Sequence, residues 1–149
     1  MTDTKHLAQL LEHKHKVLSQ IRALAVRQVD LADAADASAM IGLIAAKQGL
    51  IDGLLKVEQA LGPYREESPD QRCWDSRAER ERVAAISEQC NALLEEIMAL
   101  DRQGLEKAQA RQQQTKLQID TAHQAASARN AYTTHQATSS GRIDVASEA

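Results

Sequence analysis

An all-α fold follows from three features of the sequence. Aromatic residues make up 2% of the 149 positions and Phe is absent, so a thick β-sandwich core would lack its usual large fillers. Ala, Leu, Gln, Glu, Lys and Arg dominate instead, the residues that a helix holds at least entropic cost. Only two prolines occur, Pro63 and Pro69, and they lie close together, leaving long stretches with no helix breaker. The expected architecture is an antiparallel helical hairpin packed on one long third helix, an elongated three-helix bundle with a disordered C-terminal tail. One helical domain is expected over 1–132, with helices near 4–29, 37–61 and 76–132, and a flexible tail over 133–149.

The first helix opens on Thr2, Asp3 and Thr4, all good N-cap residues. Its apolar positions run Leu7, Leu10/Leu11, Val17/Leu18, Ile21 and Leu24/Ala25, alternating steps of three and four, with Lys14 in the one skipped position. The repeated aspartates of the segment from Asp30 to Ala39 compete for backbone hydrogen bonds and predict a turn, after which Asp36 or Ser38 can cap the second helix. That helix carries Met40/Ile41, Leu43/Ile44, Leu50/Ile51, Leu54/Leu55, Val57 and Leu61, with Lys47 where a strict stripe would be apolar. Gly62-Pro63 is expected to end it, and Tyr64 to Ser76 to form a polar linker whose Trp74 plugs the end of the hairpin.

Ser76 with Glu79 three residues later predicts the start of the third helix. Val83, Ile86, Cys90, Leu93/Leu94, Ile97 and Leu100 give a strong stripe that should be core. Leu105, Ala108, Gln112, Thr115, Ile119, Ala122 and Ala126 then keep the spacing with smaller, more polar members. With no Pro from Ser76 to Tyr132, one helix of roughly 55 residues, about 80 Å long, is expected. The two shorter helices cover it only to about Leu100 or a little beyond, so Gln103 to Tyr132 must find another surface or stay partly exposed.

Net charge is -3 with no basic block, which argues against nucleic-acid binding. No apolar run reaches the roughly 18 to 20 residues of a membrane span, so no membrane insertion is expected. Met1 to Leu10 shows no export signal, and Cys73 and Cys90 then read as reduced cytoplasmic thiols, Cys90 as a small core residue. His6, His13 and His15 lie in the first helix and His123 and His135 late, without the spacing of a metal site. Glu95 and Glu96 are adjacent and so diverge on a helix. No Gly-rich phosphate loop or nucleophile elbow occurs. A protein-binding role, with no catalysis, cofactor or metal, is the expectation.

The layout resembles the FlgN-type export chaperones of the bacterial flagellar type III secretion system over roughly residues 5 to 146. The similar segments are Leu10-Leu11-Glu12-His13-Lys14-His15-Lys16-Val17-Leu18, then Ala46-Lys47-Gln48-Gly49-Leu50-Ile51. Leu93-Leu94-Glu95-Glu96-Ile97-Met98-Ala99-Leu100-Asp101 follows in the long helix, then Ala131-Tyr132 and the closing Arg142-Ile143-Asp144. The resemblance implies a cytoplasmic chaperone that binds C-terminal helices of hook-associated (hook–filament junction) proteins, prevents their premature assembly and delivers them for export. It also implies contacts with the flagellar export gate and components of its ATPase complex. Carried over, Leu105, Ala108, Leu117, Ile119 and Ala122 would bind the substrate protein and Tyr132 would dock on the gate. The alternative from the residues is a structural coiled-coil protein that homodimerises through the distal third helix.

Overall fold

The computed structural model describes residues 3–34 and 36–148, with side chains described as far as residue 136. The element order is α1 (Thr4–Ala32), α2 (Ala37–Glu66), a 3-10 turn (Pro69–Gln71) and α3 (Arg77–Glu148), an all-α chain as its composition requires. It divides into two units, Met1–Ala108 and Gln109–Ala149.

α1 is capped by Asp3, whose carboxylate accepts from the His6 N–H at 3.1 Å. It runs past Val29, its expected end, because Val29 and Ala32 are both buried and carry the apolar stripe into the aspartate run. Of the two residues able to cap α2, Asp36 does so, accepting from the Ala39 N–H at 3.0 Å.

α2 departs from expectation at its C-terminus, since Gly62-Pro63 does not end it and the helix continues to Glu66 with Pro63 inside. Proline forfeits one backbone hydrogen bond but its fixed φ suits a helix. The last turn is held by side chains instead: Tyr64 packs against the cluster of Leu7, Val57 and Leu61, and Arg65 pairs with Glu58 about two turns back. Trp74 packs on that same cluster, at the hairpin's end as expected. Ser76 caps α3 by accepting from the Glu79 N–H at 3.1 Å, while the Glu79 carboxylate is engaged by Arg82 rather than turned back on Ser76.

The core of the first unit draws on all three helices. Val17, Leu18 and Ile21 of α1 meet Cys90 and Ile97 of α3, with Leu50, Ile51 and Leu54 of α2 packed against them. Leu18 is 1% exposed, and burial of such a side chain contributes about 1.5 to 3 kcal/mol. The two lysines that interrupt the apolar stripes prove to be paired ions. Lys14 meets Glu58 at 2.7 Å, and Lys47 pairs with Asp101 while donating to Gln28 at 3.1 Å. Arg82–Glu12, Arg22–Glu96 and Lys107–Asp33 then tie α3 to α1 along its length.

In the second unit, positions 112–136 are exposed one and all. Thr133 and Gln136 are helical, bonded to Arg129 and Tyr132, so the helix does not stop at Tyr132. The rest of the expected flexible tail, with Ile143 and Asp144, lies outside the residues whose side chains are described.

Candidate protein-binding surfaces

The six residues singled out from the sequence fall in both units. Leu105 and Ala108 belong to the first and share a helix face, Leu105 being 58% exposed. Leu117, Ile119, Ala122 and Tyr132 belong to the second. Leu117 and Ile119 are two residues apart, hence about 200° around the axis, and point to opposite sides. A shallow patch brings Leu117 together with Gln118, Thr121, Ala122 and Ala125 and leaves Ile119 out. The Tyr132 ring is exposed, and its hydroxyl accepts from Gln136 Nε2 at 3.0 Å. No single face of the distal helix therefore carries the whole set.

The structure also exposes residues that the sequence reading placed in the core. Of the apolar doublets in the stripes, Leu43 is buried while Ile44 is exposed, and Leu55 and Leu94 are exposed beside better-covered partners. Ile41 and Met98 are exposed as well. Adjacent helical residues differ by about 100°, so repeated doublets broaden a stripe beyond what one neighbour can cover. That width was the available signal. It also bears on the membrane: α2 is long and apolar enough to cross one by length and composition. Lys47 and Asp52 interrupt its apolar stretch, so no unbroken apolar run of spanning length occurs in it.

Where α2 ends and α3 begins, a cavity of about 370 Å³ opens between the elements. Leu7, Leu11, Leu61, Trp74 and Val83 give it apolar walls; Lys14, Arg65, Arg72 and Arg80 bring four cationic side chains to it. No carboxylate lines it. Lys14 and Arg65 both engage Glu58. Burial works against the Glu58 carboxylate, but hydrogen bonds from Lys14 and Arg65 outweigh it and hold the pKa below the ordinary 4.5. Arg72 donates to the Tyr64 carbonyl, yet its buried Nε has no hydrogen-bond partner; the nearest Glu67 oxygen, at 3.8 Å, is too far. Burial also pushes the Cys90 thiol up, whereas Cys73 is exposed. Among the described residues, no three His, Cys, Asp or Glu side chains are grouped so as to hold a metal ion.

No family model, curated protein or solved structure matches the chain.

Proposed function

We propose that the chain is a helical export chaperone that binds amphipathic helices of client proteins, the clients being hook–filament junction proteins of the bacterial flagellum. The observation that carries the protein-binding reading is that large apolar side chains are left uncovered on α3, on more than one of its faces. Leu105, Leu117, Ile119 and Tyr132 are each more than half exposed. Their burial by a partner would contribute about 1.5 to 3 kcal/mol per aliphatic residue before ordering costs, which suits a reversible complex. The choice of client rests on the FlgN-type segments of the sequence, and the cytoplasmic setting and export-gate contact come with that choice.

The test is calorimetric titration of the chain with C-terminal segments of junction proteins. Saturable binding is expected, reduced about tenfold or more when Leu117→Glu and Ile119→Glu are combined. Tyr132→Ala should leave client binding intact and weaken capture by export-gate components. A tight homodimer in sedimentation, sealed through the distal helix and indifferent to those segments, would instead establish the structural coiled-coil reading.

A further inference from the structure

The first unit carries a second uncovered apolar surface, and its position is set by the ion pair between Lys47 and Asp101. Lys47 lies between Ile44 and Ile51 on α2; Asp101 lies between Met98 and Leu105 on α3. The two helices run in opposite directions through the hairpin and linker, so Ile51 and Leu55 come level with Met98 and Leu94. Ile44 comes level with Leu105. On α2 the spacing 44–51–55 and on α3 the spacing 94–98–105 each keep to one face, and those faces flank the pair. Leu55, Met98 and Leu105 are each more than half exposed, while Ile51 reaches down to the core between them. The result is an apolar groove with one bank on each helix.

The groove leads to the cationic cavity. On α3 the step from Ser87 and Asn91, which line the cavity, to Leu94 and Met98 follows one helix face; on α2 Leu55, Glu58 and Arg65 do the same. Around the cavity four cations face Glu58 and Glu67, and Arg80 makes no ion pair among the described residues. The Arg72 Nε is a buried donor without an acceptor. An acidic side chain entering there would gain charge-assisted hydrogen bonds, with Arg80 the cation that no carboxylate among the described residues already engages. Farther along, the exposed carboxylates of Asp52 and Glu95 border the apolar banks. They disfavour an anionic bilayer on this face and match a guest with basic flanks.

We propose that this groove receives an amphipathic helix of another protein, with an apolar stripe along the banks, basic flanks, and an acidic residue seated in the cavity. From Ser87 to Leu105 the groove suits a helix of about 18 residues, some 27 Å long. The surface lies wholly within Met1–Ala108 and shares only Leu105 with the client-binding residues proposed above, so it does not depend on Leu117, Ile119 or Tyr132 binding a client.

Trp74 is the sole tryptophan and lines the cavity, so its fluorescence reports on occupancy directly. The probe is a synthetic 18-residue helix with a leucine stripe, lysine flanks and glutamates at one end, titrated into the full chain. Saturable binding with a change in Trp74 emission is expected. Leu55→Glu and Met98→Glu, both at exposed positions, should each weaken it about tenfold without lowering the melting temperature. Arg80→Glu should weaken the glutamate-ended peptide several-fold and strengthen a lysine-ended version of it. Leu117→Glu with Ile119→Glu should change nothing here, which separates this surface from the client site proposed above. Equal binding of a scrambled peptide, or no loss with Leu55→Glu and Met98→Glu, would overturn the proposal. So would a dimer that Met98→Glu turns to monomer, or binding to anionic vesicles abolished by Leu55→Glu.

Discussion

Lys47 shows how much one side chain can reconcile. It is 8% exposed in the middle of an apolar stripe, a placement that lysine tolerates only when its ammonium finds partners. Asp101 supplies the charge and Gln28 a neutral acceptor, and the same pair sets the register of α2 against α3. Because Asp101 keeps 46% of its side chain exposed, removing Lys47 strands no buried anion. Lys47→Ala is therefore expected to cost about 1 to 2 kcal/mol, chiefly for the lost stem packing and ion pair, and Lys47→Met less than about 1. Urea denaturation of the two variants measures the difference. Equal losses would show that the charge, not the packing, matters at this position. From the sequence alone Lys47 was visible as an interruption, but its partner was not. Asp101 is 54 positions away, and many exposed carboxylates were equally available on paper.

At the scale of the helix, capping chemistry was legible at every N-terminus. Asp3, Asp36 and Ser76 all accept backbone N–H groups where their side chains suggested. The C-termini were less so, because a helix end is decided by whether the next turn finds something to pack on. Val29 and Ala32 lengthen α1, and Tyr64 with Arg65 carries α2 through its proline. Pro63 thus occupies a helical position at which an N–H could be bonded. Pro63→Ala should restore that bond and stabilise the first unit by about 1 kcal/mol, offset in part by a freer unfolded chain. A raised thermal midpoint checks this; a lowered one would mean that the rigid ring positions Tyr64. The doublets of the apolar stripes mark the other limit of sequence reading. Periodicity told which faces are apolar, but not which of two apolar faces the neighbouring helix covers.

For the molecule as a whole, two kinds of surface divide the chemistry. One is the groove and cavity of the first unit, built from three elements and charged at one end. The other is the side-chain array of the distal helix, which over the described positions 112–136 is small or polar apart from Leu117, Ile119 and Tyr132. The first was illegible in the sequence because Leu7, Leu61, Trp74 and Arg80 come together only through the tertiary fold. The second was legible as thinning periodicity, though the opposite directions of Leu117 and Ile119 were not drawn from it.

One long helix with a buried first portion and an exposed stretch over 112–136 has a kinetic consequence. Amides around Val83 to Ile97 open only when the core does, whereas those of 112–136 are protected by local helix hydrogen bonds alone. Deuterium uptake should therefore change by orders of magnitude along an unbroken helix, slow near Cys90 and fast near Ala122. Uniform slow uptake over both regions would contradict the absence of covering contacts. The fast segment is then where the arrival of any partner leaves the largest trace, since each amide it shelters starts from almost no protection at all.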